Sequence, residues 1–146
     1  MPTGSERPKQ PVATKILCTF PSGHWAFTNG ENGHPFDYVA LQSPPFSSTG
    51  NDVLVFYYFA YSMFSQFWLT GSLGCLTRDH ESGTEELSWF KVVDGNDTWR
   101  SACIQLPRSD NLTVSFVSMR GQVQRADLAV DDVQVLQTTC DHFYKG

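Results

Sequence analysis

Two adjacent carboxylates, Asp131 and Asp132, stand in the otherwise apolar segment ADLAVDDVQVL, which runs from Ala126 to Leu136. Carboxylates so placed could be half of a catalytic site, could bind a cation or could anchor the fold. In a strand, however, successive side chains face opposite sides of the sheet, so the two cannot converge on one substrate atom. A glycosidase would need a further carboxylate from another strand. The pair therefore favours a structural role.

The rest of the chain carries no recognised catalytic motif. It has no G-x-S-x-G elbow, no H-E-x-x-H and no glycine-rich phosphate loop. Its four histidines show no metal-ligand spacing. Cys140 and His142 could suggest a thiol beside a base, but neighbours in sequence seldom reach that geometry. We predict that this chain is not an enzyme.

A carboxylate buried within a sheet needs a partner, because burying an unpaired charge is costly. Backbone N–H groups of nearby loops would serve, and so would a hard cation such as Ca²⁺ or Na⁺. One strand supplies only one inward acid, so hydrogen bonding is at least as well supported as a cation. No cofactor is required, and Asp131 and Asp132 stand as candidate ligands of a structural Ca²⁺ or Na⁺ ion.

Length and charge limit the classes of function. The chain has 146 residues, enough for one domain with one core, and a net charge of −5. No cluster of Lys and Arg occurs, which argues against nucleic acid and against anionic lipid surfaces as partners. No apolar run reaches the roughly 18 residues of a membrane span. Residues 1–15 show no signal-peptide apolar region, so the chain is expected to be cytosolic or part of a longer secreted protein.

The cysteines and glycosylation sequons favour the extracellular alternative. Four cysteines are spread over the chain without a C-x-x-C pair, at Cys18, Cys75, Cys103 and Cys140. Sequons begin at Asn96 and Asn111, both beside turn-forming residues. We predict an extracellular fragment with two disulfides and glycans at both asparagines. Four buried free thiols in a cytosolic adaptor remain the alternative.

Short apolar runs separated by Gly, Asn, Ser and Pro indicate an all-β fold. In Leu112–Ser118 apolar and polar residues alternate, as in a sheet with one solvent-exposed face. We predict a jelly-roll-like sandwich of two antiparallel sheets with almost no helix, preceded by a flexible leader over residues 1–15. The eight predicted strands are Ile16–Phe20, Tyr38–Gln42, Val53–Ser62, Phe67–Thr77, Leu87–Val93, Thr98–Leu106, Leu112–Met119 and Arg125–Leu136.

Several segments, in order, resemble the MAM domains of meprins, receptor protein tyrosine phosphatases and neuropilins. The segment ADLAVDDVQVLQTTC is similar to the family's closing signature, and CTF at Cys18 to its opening Cys-x-Phe. Between them HWAFTNG, VALQSPP, LVFYYFAYSM, ELSWF and GNDTWRSACIQL resemble successive family segments. The resemblance covers residues 16–140, leaves 141–146 as a tail, and implies a concanavalin-like sandwich of the MAM type.

The chain also departs from the family pattern. His24 and Val53 stand where the family has two cysteines that take part in its usual disulfides. With those absent, the resemblance leads to the pairing Cys18–Cys140 and Cys75–Cys103, one of three connectivities for four cysteines. Pro21 replaces an acid, and Asn29–Asp37 lacks the family's Asp-His-Thr, so only the Asp doublet remains of the family's cation ligands.

The resemblance implies a non-catalytic extracellular recognition module within a larger secreted or cell-surface protein. Its partner would be an extracellular protein or a second copy of itself, in adhesion, receptor assembly or oligomerisation. Phe64, Phe67 and Trp68 form a candidate exposed binding patch, although ordinary core packing is the simpler reading. A carbohydrate-binding jelly roll is the alternative function, with Trp68 beside Phe67 or Tyr61 stacking on a glycan.

Overall fold

The computed structural model describes residues 15–17, 26–29, 38–63, 71–121 and 127–145. It contains ten strands and one short helix. In chain order they are β1 (Lys15–Leu17), β2 (Ala26–Asn29), β3 (Tyr38–Gln42), β4 (Phe46–Ser48), β5 (Val53–Tyr61), β6 (Gly71–Asp79), β7 (Thr84–Val92), β8 (Arg100–Gln105), β9 (Ser109–Arg120), β10 (Asp127–Leu136) and α1 (Cys140–Lys145).

The strands form two sheets. A six-stranded sheet has the order β1-β3-β9-β6-β7, with the short β4 also pairing with β9. A four-stranded sheet has the order β2-β10-β5-β8. Every pairing between these strands is antiparallel except that of β1 with β3, which is parallel. The predicted all-β sandwich is therefore confirmed.

One aromatic cluster joins the two sheets. Phe56 of the four-stranded sheet is fully buried, and its ring centroid lies 4.8 Å from that of Phe116 and 5.1 Å from that of Trp89 in the six-stranded sheet. Both contacts are edge-on, the arrangement that the ring quadrupoles favour. Leu54 and Ile104 extend the same core towards the far end of the sandwich.

Strand β5 is buried on both faces, which explains its nearly unbroken apolar sequence. Phe56 and Tyr58 face the other sheet, whereas Phe59 packs with Ala129 and Trp99 on the outer side. Tyr57 is the one exposed residue within β5.

The alternation predicted in β9 also holds on the core face. Thr113, on the other face, is buried too, and its hydroxyl forms a hydrogen bond with the ring Nε2 of His80.

The sequence missed β2, β4 and α1. The two strands have only four and three residues, and the helix has six, which is too short for a 3.6-residue apolar pattern to appear. Among the described residues no helix has the length and apolarity to cross a membrane. The predicted leader falls mostly on residues 1–14, which lie outside the described residues.

Candidate functional site

The Asp doublet forms a bulge in β10. Asp131 pairs with Tyr57 and Gln134 pairs with Val55, so two residues of β10 lie opposite one residue of β5. Asp132 takes a φ of +52°, the left-handed conformation that aspartate tolerates better than most side chains. The bulge returns Val133 to the core between the sheets. The second aspartate is therefore the residue that absorbs the irregularity.

Asp131 is fully buried, but it does not lie between the two sheets. Its neighbour Val130 packs in the inter-sheet core, and strand alternation puts Asp131 on the outer side with Ala129. The described residues contain no group of three or more His, Cys, Asp or Glu side chains able to hold a metal ion. Pro21 and residues 30–37 lie outside the described residues, and the assignment of the doublet as cation ligands stays a prediction.

The disulfide links Cys103 to Cys140, with a Cα–Cα distance of 5.6 Å. Ala102 and Ile104 face the core, so Cys103 points to the outer side of the four-stranded sheet, where α1 begins at Cys140. The predicted pairs Cys18–Cys140 and Cys75–Cys103 are therefore wrong. The physical reason is topological, because Cys75 lies on the inner face of the other sheet.

Cys75 is a fully buried free thiol. It lies on β6 between its cross-strand neighbours Phe116 and Trp89. Burial raises the pKa of its thiol well above the usual range, so the thiolate is disfavoured and the group behaves as a small apolar side chain. The fourth cysteine, Cys18, lies outside the described residues.

Both sequon asparagines are exposed. Asn96 lies in a loop, where its Oδ1 accepts hydrogen bonds from the backbone N–H of Thr98 at 3.2 Å and from the Thr98 hydroxyl at 2.5 Å. Asn111 instead lies within β9, and its carbonyl accepts a hydrogen bond from the backbone N–H of His80 at 2.9 Å. Glycosylation at either position stays a prediction.

The outer face of the six-stranded sheet carries an exposed apolar surface. Three rows of cross-strand neighbours cover it, beginning at Tyr38, Ala40 and Gln42 of β3 and continuing through β9 and β6 to β7. None of their members on these four strands is charged, and the row through Ala40 continues onto β1 at Lys15. We name as the outer apolar patch its five exposed large side chains, which are Tyr38 (65% exposed), Leu87 (57%), Phe90 (54%), Val92 (42%) and Met119 (38%). Exposed apolar surface of this extent on a sheet face is typical of interaction sites.

Small residues on β6 form the floor of this patch. Ser72 lies between Met119 and Val92, and Gly74 lies between Val117 and Phe90. A Cβ added at Gly74 would meet Leu87 Cδ1 at 3.4 Å and Phe90 Cδ1 at 3.8 Å, so both side chains lean over the glycine. The large side chains of β7 and β9 therefore stand on either side of a shallow depression.

Strand β7 also contains a bulge. Cys75 pairs with Trp89 and Leu76 with Leu87, which leaves Ser88 as an extra residue. Ser88 turns towards the inner side, where its hydroxyl lies 2.8 Å from that of Thr77. Trp89 also faces inward against Phe56. The bulge thus allows Leu87 and Phe90 to share the outer face although three positions separate them.

A polar turn fixes the start of β7. Asp79 accepts hydrogen bonds from the hydroxyls of Ser109 at 2.7 Å and Ser82 at 2.8 Å, and from the backbone N–H of Glu81. The bonds from Ser109 and Ser82 lower the pKa of Asp79 below its ordinary value. Gly83 adopts the φ of +77° that the turn requires and that a Cβ would strain. The β6–β7 hairpin is thereby held against β9.

A charged cluster fixes the other end of β7. Both terminal guanidinium nitrogens of Arg100 donate to the Asp94 carboxylate, at 3.0 and 3.1 Å, and Lys91 Nζ lies 3.0 Å from Asp94 Oδ2. Partial burial raises the pKa of Asp94, but these bonds outweigh it. The pKa falls from the ordinary value of 3.8 to about 2.

This pKa predicts an acid-sensitive contribution to stability. Because the folded pKa is depressed, the charged Asp94 stabilises the fold above about pH 4, and the effect is lost as pH falls from 3.8 towards 2. Asp94→Asn should cost about 1 kcal/mol or less at pH 7, since solvent screens the partly exposed pair. Urea unfolding at a series of pH values should show the difference from the wild type shrinking below pH 4. A difference that stayed constant down to pH 2 would contradict this reading.

The aromatic set predicted from the sequence is not among the described residues. Phe64, Phe67 and Trp68 lie outside the described residues, so their candidacy as a binding patch stays a prediction. The described patch was missed because its members are scattered over β3, β7 and β9. The sequence signal available was the pair Leu87 and Phe90, two large apolar residues flanking Ser88-Trp89 in a segment that begins with two glutamates.

The fold and its closing strand agree with one known family. The MAM domain family, meprin/A5/mu, matches residues 4–141. The chain belongs to the MAM family. The suspected resemblance is therefore confirmed over nearly the whole chain.

Solved structures similar to this MAM domain include carbohydrate-binding modules and a bacterial adhesin. A family 29 carbohydrate-binding module complexed with cellulohexaose has a TM-score of 0.52 at 12% identity, over 82% of this chain and 74% of its own. A carbohydrate-binding module with β-1,4-galactotriose has a TM-score of 0.47 at 13% identity, over 68% and 61%. The K3 cleaved adhesin domain of Lys-gingipain from Porphyromonas gingivalis W83 has a TM-score of 0.44 at 20% identity, over 70% and 65%. The chain thus spans less than two thirds of the last two. The likeness to the family 29 module, at 12% identity, speaks for the fold alone.

Proposed function

We propose that this MAM domain is a non-catalytic extracellular recognition module that binds another protein through the outer apolar patch. The observation that carries the proposal is the exposure of five large apolar side chains on one sheet face. Membership of the MAM family supports the recognition role. The parent would be a secreted or cell-surface protein that uses the module in adhesion, receptor assembly or oligomerisation.

The chemistry of the patch points to a protein partner with an apolar surface. On β3, β9, β6 and β7 none of the positions in its three rows is charged, although the whole chain has a net charge of −5. The depression over Ser72 and Gly74 suits an inserted apolar side chain, the usual anchor of a protein interface.

The disulfide supports the extracellular setting. A bridge such as Cys103–Cys140 persists in oxidising compartments and is rare in the cytosol. Glycans on Asn96 and Asn111 would fit the same setting. Neither asparagine belongs to the three rows that form the patch.

The test is binding to an array of secreted and cell-surface proteins of the source organism. Met119→Lys places a charge in the patch and should lower the affinity for a bound protein about tenfold or more, because the charge is desolvated on binding. Tyr144→Lys is the matched control, since Tyr144 is 59% exposed on α1, away from the patch. Binding to no protein of the array, or binding that Met119→Lys leaves unchanged, would refute the proposal.

A carbohydrate-binding module is the second candidate, supported by the fold likeness to the family 29 module. The aromatics Tyr38 and Phe90 of the patch could stack on sugar rings, as could the sequence-predicted set around Trp68. Cellulohexaose and β-1,4-galactotriose are suitable probes. Saccharide binding lost on Trp68→Ala or Phe90→Ala, without binding to any protein, would favour this candidate over the first.

A further inference from the structure

Strand β7 forms an edge of the six-stranded sheet. In the described part of the chain it pairs with β6 alone. It has nine residues, and six of them are exposed, including Leu87 and Phe90. A long, exposed and partly apolar edge offers unpaired backbone groups to another strand.

The bulge at Ser88 limits which strand can pair with this edge. Before the bulge, Glu86 lies opposite the inward Thr77, and Leu87 faces outward. After it, Phe90 faces outward, and Lys91 lies opposite the inward Leu73. The side chains that face outward thus stand at odd-numbered positions before the bulge (85 and 87) and at even-numbered positions after it (90 and 92). A regular strand keeps a strict period of two and can match only one half.

A second copy of β7 carries the same irregularity and can match both halves. In an antiparallel pair with a two-fold axis between Ser88 and Trp89, outward Leu87 lies opposite the partner's Phe90, and inward Glu86 lies opposite the partner's Lys91. Glu85 then lies opposite the partner's Val92, also outward. Shifting this register by one residue would place outward side chains opposite inward ones.

We propose that two copies of this MAM domain associate through antiparallel pairing of their β7 strands in this register. The proposal rests on the proposed function as a recognition module and adds a second copy as a further partner, bound at the β7 edge. Each two-fold contact occurs twice, so the interface contains two Leu87–Phe90 contacts and two Glu86–Lys91 ion pairs. The two sheets join into one, and the outer apolar patches become neighbours on the same face.

The charges of the single copy are compatible with this arrangement. Lys91 is ion-paired with Asp94, but Arg100 binds both oxygens of the same carboxylate. Asp94 therefore keeps a cation when Lys91 turns to the partner's Glu86. Glu86 is exposed and can reach across the edge.

Charge reversal in two separate variants tests the register. Glu86→Lys and Lys91→Glu each create two like-charge pairs, and each should raise the dimer Kd about tenfold or more in sedimentation equilibrium. Mixing the two variants restores both opposite-charge pairs and should give a heterodimer with a Kd close to that of the wild type. Glu85→Lys, one residue away and opposite a valine, is the matched control and should change the Kd little.

A wild-type chain that stays monomeric up to about 1 mM would overturn the proposal. A dimer Kd that neither charge reversal changes, or that mixing the two variants does not restore, would overturn it as well. Circular dichroism establishes that each variant is folded, and the rescue by mixing works only with folded chains. Met119→Lys lies on β9, away from the edge, and should leave the dimer intact. If the Met119→Lys variant loses array binding but still forms the dimer, both proposals are supported. If the wild type is monomeric and its array binding depends on Met119, only the dimer proposal is refuted.

Discussion

Replacing Phe56 with alanine is expected to lower the free energy of unfolding by about 3–5 kcal/mol, the range for large aromatic side chains removed from a core. Phe56 is fully buried and joins the two sheets through its edge contacts with Phe116 and Trp89. Neither neighbour can fill the space, because both are fixed on strands of the opposite sheet. A domain of this size has only about 5–15 kcal/mol of stability, so this loss is a large fraction of the total. Urea unfolding followed by tryptophan fluorescence measures the loss.

Tyr57→Ala provides the matched control on the same strand. Tyr57 is the next residue, but it faces outward and is 41% exposed. Its removal should cost about 1 kcal/mol or less if burial alone decides the outcome. Equal losses at the two positions would mean that the contact between the sheets is not the main stabilising interaction.

Removing the Cys103–Cys140 disulfide is expected to have an effect of similar size. The bridge closes a sequence separation of 37 residues, for which the chain-entropy relation gives about 4 kcal/mol at 25 °C. The double variant Cys103→Ser/Cys140→Ser should therefore lose about 2–4 kcal/mol in urea unfolding. Local fraying is also expected, because α1 then lacks its covalent link to β8.

Cys75→Ala is the control for loss of a cysteine without loss of a bridge. Cys75 is buried and free, so the change removes one sulfur atom and should cost about 1 kcal/mol. Dithiothreitol should lower the stability of the wild type but not that of the double serine variant. A Cys75→Ala variant as damaged as the double variant would contradict the observed pairing.

Most of the sheet architecture could be predicted because the strand signals are local. Each predicted run from Tyr38 onwards overlaps an observed strand, and β3 has the predicted bounds. The order of strands in the sheets could not be predicted, since cross-strand pairing depends on residues far apart in the chain. Short elements such as β4 exist only because a neighbouring strand offers an edge, and their own three residues carry almost no signal.

The disulfide prediction failed for the same reason. Cys75 and Cys103 both lie in central strand positions, which made them plausible neighbours in sequence terms. Only the sheet assignment shows that β6 and β8 belong to different sheets, and that Cys75 points into the core whereas Cys103 points to the outer side of its own sheet. The segment around the Asp doublet led to correct predictions of both a strand and the family, because both can be recognised from residues close together in the sequence.

The outer apolar patch could not be predicted from the sequence because its members lie on different strands. Tyr38 and Met119 are neighbours in space but are 81 positions apart in the chain (119 − 38). The bulge at Ser88 added a second difficulty, because it breaks the period of two by which outward residues are recognised. A strict alternation through β7 would have placed Leu87 and Phe90 on opposite faces.

The buried thiol of Cys75 bears on how the chain matures under oxidising conditions. Before the sheets close, its sulfur can compete with Cys103 and Cys140 for the first bridge, and a wrong link would trap the chain. Thiol–disulfide exchange needs the thiolate, and the packed interior both suppresses that form and bars access to it. Collapse of the sandwich therefore removes Cys75 from the exchange, and the Cys103–Cys140 cross-link persists against this competitor.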